Sequence, residues 1–261
     1  MAVLGIITCE ILTQEFAFIL GTDSGIGRIS IIENSNSTRL IQLLELKYSK
    51  QIQCIPHLNS YRKEPSDNLE VVVVVLELEL HRNKKILRKA ILETSRNLAH
   101  YVDAFLLGYG LCGNALNNPE ELIKAKVPVF IPMDGEHPVD DCVGLIIGGR
   151  SCYYAEQCKE PGTFFMIPGW TYNWRKILNK NLPGESIKAA KSMFKRYKRA
   201  LLITNPTMPP EEMEYNIEEF IKLTGLNTEI RQGTIDILLR TWNSVKEYFM
   251  IKSDIIDASE K

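Results

Sequence analysis

The stretch Ala104-Phe105-Leu106-Leu107-Gly108-Tyr109-Gly110-Leu111-Cys112-Gly113-Asn114 constrains the fold of this chain more than any other. Four apolar residues in succession suit a strand covered on both faces, and strands of that kind belong to parallel sheets flanked by helices. The run then meets three glycines set around one cysteine, a composition that frees the backbone for tight turning and close approach. A buried strand delivering a thiol to a turn is therefore expected, at the strand end where open α/β sheets bind ligands. Gly108, Gly110 and Gly113 become candidates for contact with a bound ligand or cofactor. The plainer alternative is that Cys112 is a small packing residue, because free cysteines are among the most buried residue types.

The same setting recurs at the start of the chain. Residues 3–9 are apolar and β-prone, and residues 10–20 change to helical spacing, so Cys9 also sits at a strand's carboxyl end. Further strands are expected at 28–32, 51–55, 69–80, where five consecutive valines and the alternation over 76–80 favour a strand over a helix with its glutamates outside, 127–131, 200–204, 228–231 and 248–251. Helices are expected between them, over 38–48, 83–98, 185–197, 210–224 and 234–242. Such alternation implies an α/β, Rossmann-like fold, a mainly parallel sheet with helices on both faces. The strands at 3–8, 104–107, 127–131 and 200–204 are expected to share that sheet. No repeat or clear linker interrupts the 261 residues, which read as one domain with a weak boundary near 181–184.

Charge and motifs narrow the function. With 31 Lys and Arg against 32 Asp and Glu, the net charge of −1 gives no global reason to expect nucleic acid or an anionic membrane surface as partner. The most basic stretch, with Lys191, Lys195, Arg196, Lys198 and Arg199, reads as a solvated helix face. The first residues lack the basic region and cleavage site of a secretory signal, and no apolar run approaches the ~18 residues of a membrane span. A cytoplasmic, reducing location is expected, where six cysteines are thiols or metal ligands rather than bridges. None shows a C-x-x-C spacing, and there is no phosphate-binding P-loop, G-x-S-x-G elbow or H-E-x-x-H helix. The glycines at Gly21, Gly25 and Gly27 follow a predicted helix and precede a strand, the reverse of a dinucleotide loop.

Three cysteines at element ends remain. Cys9 and Cys112 follow strands, and Cys142 opens an apolar segment; if that segment is a helix, its dipole would lower the thiol pKa. Three thiolates from separate elements, converging at one sheet edge, would select a soft metal such as zinc and leave one position open. His57 or His137, each in a predicted loop, could supply a fourth ligand. Cys54, Cys152 and Cys158 read as packing residues, and Trp170 and Trp174, about one helical turn apart, as core or as a roof over the cysteines.

Thr8-Cys9-Glu10, the block 107–114, Asp141-Cys142 ahead of an apolar run and Gly148, and Pro161-Gly162-Thr163 followed by Pro168-Gly169-Trp170 resemble an uncharacterised prokaryotic family. It is known chiefly as a domain of unknown function in methanogenic archaea and anaerobic bacteria, often encoded near corrinoid-dependent methyltransferases. The resemblance implies a cytoplasmic Rossmann-like protein with Cys9, Cys112 and Cys142 as its site. Where the family has a histidine just before the Asp-Cys pair, this chain has Asp140, with its histidine at His137. The expectation is a zinc-binding protein of anaerobic one-carbon metabolism, assisting or performing methyl transfer to or from a corrinoid protein or thiol. The alternative is a non-catalytic adaptor or chaperone of a corrinoid methyltransferase, its cysteines structural. A third reading makes Cys112 a lone activated thiol in redox work.

Overall fold

The computed structural model describes residues 2–63, 68–123, 126–181 and 187–259. β1, Val3–Cys9, is buried along its whole length. A 3-10 turn, Glu10–Leu12, leads into α1, Thr13–Thr22. β2 (Ile26–Ile32), α2 (Thr38–Gln42, extended by a π-type turn over Leu43–Lys47) and β3 (Ile52–Ile55) follow. The valines lie in β4, Leu69–Leu76, shorter than the expected 69–80 because Glu79 takes a φ of +67° and turns the chain. α3, Lys84–Leu98, is capped by Asn83, whose side chain accepts from the amides of Lys85 and Ile86. β5 is Ala104–Gly108, again fully buried.

Shorter elements come next: α4 (Pro119–Ile123), β6 (Val129–Phe130), a hairpin of β7 (Met133–Asp134) and β8 (His137–Pro138), α5 (Cys142–Ile147) and α6 (Arg150–Lys159). The last part holds β9 (Thr163–Met166), α7 (Pro168–Asn181), α8 (Ile187–Phe194) and β10 (Arg199–Thr204). It closes with α9 (Pro210–Thr224), β11 (Asn227–Gln232) and α10 (Asp236–Ser259). The boundary expected near 181–184 falls, beyond Asn181, outside the described residues.

The α/β reading holds: a six-stranded parallel sheet, ordered β3-β2-β4-β1-β5-β6, is flanked by helices. One expectation needs correction. The strand at 200–204 does not join this sheet but pairs in parallel with β9 and β11 in a separate three-stranded sheet. The pleat explains the assignment. Leu201 and Ile203 turn one way into the main core, while Ala200 and Leu202 turn the other way onto Trp174, Met213, Ile217 and Phe220 of α7 and α9. A strand buried on both faces looks the same in sequence whichever sheet holds it.

The strand expected at 248–251 is also absent, since those residues continue α10. Ile237, Leu238, Trp242, Val245 and Phe249 are buried at helical spacing, and that single stripe outweighs the β-propensity of a short aromatic run. On the basic stretch, Lys191, Lys195, Arg196 and Lys198 are exposed as expected, whereas Arg199 opens β10 with 2% of its surface exposed.

Candidate functional site

Strand order creates a crevice. From β1 the chain passes to β2 on one side, while from β5, the neighbour of β1 on the other side, it passes to β6 away from β1. Adjacent strands whose connections diverge leave a gap beyond their carboxyl ends, where α/β proteins bind ligands. Cys9 ends β1, and the turn after β5 carries Cys112. Cys142 is the first residue of α5, whose preceding Asp141 caps the helix by accepting from the Gly144 amide at 2.8 Å. The two cysteine-bearing loops are tied together: the amides of Leu111 and Cys112 donate to the carbonyls of Val139 and Asp140, each at 2.8 Å.

This pairing explains the glycines. A Cβ on Gly110 would lie 2.7 Å from the backbone of Asp141, so only glycine lets the loops approach so closely. Gly113 takes a φ of +65°, and Cys112 itself takes +47°. For a residue with a Cβ that conformation costs about 1–2 kcal/mol, strain of the kind found at functional sites.

Cys9, Cys112 and Cys142 line one narrow cavity of about 70 Å³ with Gly108, Tyr109 and Gly110. Ile11, Leu12, Leu78 and Trp170 form its apolar walls, and Glu79 and His81 complete the lining. Trp170 thus faces the cysteines while also packing edge-on against Phe164 and Phe220, and Trp174 packs on Phe220 away from the cavity. Neither histidine singled out from the sequence reaches the cysteines. His57 lines a separate groove with Arg96 and His100, and His137 is exposed on the hairpin. The histidine that lines their cavity is His81, exposed in the turn after β4. Reading the strand through residue 80 hid it, although β4 lies beside β1 and its end must open on the same edge. Of the other cysteines, Cys54 and Cys152 are half-buried and Cys158 is exposed.

The electrostatics are those of neutral thiols. Burial pushes Cys9 up to about 12, with the carboxylates of Glu10 and Glu79 acting the same way. Burial likewise pushes Cys112 up to about 12, reinforced by Cys9 and Asp141. Cys142 is raised well above the ordinary thiol range by burial, then by Asp141, Cys112, Cys9 and Glu15. The surface that Cys112 and Cys142 retain opens on the cavity. The expected dipole-lowered thiol at the start of α5 is therefore corrected: that helix has six residues, and desolvation plus the adjacent carboxylate outweigh its dipole. A lone activated Cys112 meets the same objection.

A soft cation bound at the cavity would favour the thiolates directly and so oppose the burial that is the main cause of the raised thiols. Among the described residues no group of three or more His, Cys, Asp or Glu side chains is already drawn together as an ion site. The donor chemistry nevertheless fits a soft metal, with three sulfurs at one cavity and no basic residue lining it except His81. The Tyr109 hydroxyl is buried beside the thiols, close enough for Cys9 to perturb it, yet makes no well-formed hydrogen bond.

Fold and cavity together define a Rossmann-like α/β protein with a thiol-lined crevice at its topological switch point. The chain belongs to the family described as "Protein of unknown function (DUF1638)", whose pattern matches residues 75–242. Cys112 and Cys142 lie within that span and Cys9 before it. No curated protein matches. Among solved structures, the crystal structure of N-acetyl-L-ornithine transcarbamylase matches at 13% identity, over 85% of this chain and 66% of that one, with a TM-score of 0.20. This chain thus spans just under two thirds of that protein, and a likeness so slight carries no argument. No helix among the described residues is long and apolar enough to cross a membrane.

Proposed function

We propose that the cavity is a soft-metal site, zinc being the first candidate, at which a thiol or methylated sulfur compound is handled. The observation that carries this reading is the meeting of Cys9, Cys112 and Cys142, from three separate elements, around one cavity lined also by Tyr109. Cys9, Cys112 and Cys142 would hold the ion. Zinc, when bound, keeps a thiol deprotonated at neutral pH while leaving it nucleophilic. The chain supplies the rest. Ile11, Leu12, Leu78 and Trp170 exclude water, and Tyr109 places a hydroxyl beside Cys9. Methyl transfer linked to a corrinoid protein, in anaerobic one-carbon metabolism, is the reaction class that the family resemblance contributes.

The test is metal analysis of protein purified without oxygen, with Cys9→Ser, Cys112→Ser and Cys142→Ser as controls. We expect stoichiometric zinc in the wild type and at least about tenfold weaker binding in each variant. Because the thiols start neutral, zinc uptake at pH 7 should release about three protons, measurable in a weakly buffered dye solution. Wild-type protein without stoichiometric metal, or three variants that all retain it, overturns the reading. Because the sulfurs are not already drawn together, a second reading stands beside it: a non-catalytic adaptor of a methyltransferase with packing cysteines. That reading expects neither metal nor proton release.

A further inference from the structure

A second, larger pocket of about 450 Å³ lies directly beside the cysteine cavity, behind a shared wall. The wall consists of the two paired loops, and successive residues face opposite sides of it. Gly110, Cys112 and Cys142 line the cavity, whereas Leu111, Gly113, Asp141 and Gly144 line the pocket. Its volume suits a small organic molecule.

The polar groups of this pocket are unevenly satisfied. Both of its acids are already engaged: Asp141 caps α5, and Asp140 grips Arg150 through both oxygens, accepting from Nη2 at 2.6 Å and from Nε at 2.9 Å. Its donors are not. Cys112, Gly113 and Asn114 take successive φ values of +47°, +65° and +65°. The Cys112, Ala115 and Leu116 amides donate to backbone carbonyls, but those of Gly113 and Asn114 have no acceptor among the described residues. Successive free amides in such a turn form a concavity suited to an anion. Beside them the Arg150 guanidinium, held across the pocket by Asp140, keeps Nη1 unengaged, and a guanidinium fork matches the oxygens of a carboxylate or phosphate.

We propose that this pocket binds the oxyanion end of a small ligand, a carboxylate or phosphate, through the Gly113 and Asn114 amides and Arg150. The shared wall keeps that ligand apart from the cysteines, which lie on its other side. The oxyanion site does not rest on the function proposed above.

The test is amide NMR of the nitrogen-15-labelled full chain, titrated with inorganic phosphate and separately with acetate. The Gly113 and Asn114 amides should shift saturably, and the tighter of the two probes identifies the oxyanion. Arg150→Gln should weaken binding at least about tenfold, the cost of one charged hydrogen bond. Asp140→Asn, which removes the competing carboxylate, should tighten it, an opposite sign that a merely structural role for the pair would not produce. No saturable shift with either probe, or unchanged binding in folded Arg150→Gln, overturns the proposal.

Discussion

The two parallel sheets solve the same problem by different means. In the six-stranded sheet, β1 and β5 are buried from end to end, and no ionised side chain lies between the faces of those two strands. The three-stranded sheet is half shielded: β11 is largely exposed, and the buried guanidinium of Arg199 holds the edge together. Arg199 donates to Glu156 at 2.7 Å and to Thr163 at 2.8 Å, and also pairs with Glu229, while Arg231 takes the other oxygen of Glu156. The difference follows from size. Three strands cannot bury enough apolar surface on both faces, so a charged network closes the edge, whereas six strands can, and their carboxyl ends are left free to build a site. Apolar burial thus dominates the two central strands of the larger sheet, whose own ion pair, Arg28 with the buried Glu70, lies on β2 and β4, whereas the smaller sheet carries its ion network across its edge.

The largest effect should come from breaking that network. Arg199→Ala leaves Glu156 buried without its main partner and should cost about 3–5 kcal/mol in urea denaturation. A loss under about 1 kcal/mol would mean that water readily replaces the pair, and the contrast between the sheets would collapse. In the larger sheet, Leu106→Ala removes a fully buried side chain and should cost about 2–5 kcal/mol through lost burial and a cavity. Unlike the Arg199 loss, this one should be insensitive to salt and to pH between 5 and 8.

Glu15 sharpens the comparison because it stands at the joint of the two sheets. It lies on α1 with no exposed surface, accepts from the Asn205 side chain beyond β10 at 2.9 Å, and has no partner for its second oxygen. Burial raises it from 4.5 to about 7, against the lowering effect of Asn205. A raised folded-state pKa means that its contribution to stability is complete below pH 4.5 and lost as pH rises through about 7. The loss by pH 8 amounts to about 3 kcal/mol. Glu15→Gln, which keeps the acceptor and cannot ionise, should gain on the wild type between pH 5 and pH 8 by up to that amount. Equal pH dependence in the two proteins would place the titrating group elsewhere.

The strand-turn-thiol pattern around Cys112 was legible because it is local: apolar run, glycines and cysteine are contiguous, and each element restricts the backbone by itself. The same holds for Cys9 at the end of β1 and for Cys142 at the start of α5. The histidines were not legible. A loop histidine has no periodicity to place it, so His57 and His137 were singled out and His81 was passed over until the end of β4 put it on the cysteine cavity. The pocket behind the shared wall was equally hidden, since a free amide at Gly113 or Asn114 is a property of φ and of partners far along the chain.

Side-chain burial period and glycine chemistry act over a few residues, so the α/β class, most strand positions and the three cysteines at element ends are readable along the chain. That 200–204 belongs to a second sheet, that 248–251 is helix, and that burial raises the thiol pKa values emerge only in the folded chain. Each of those depends on what lies across a contact rather than along the chain. Sheet membership is set by which strand edge is available to pair, and a thiol's charge by how much water and opposite charge its neighbours leave within reach.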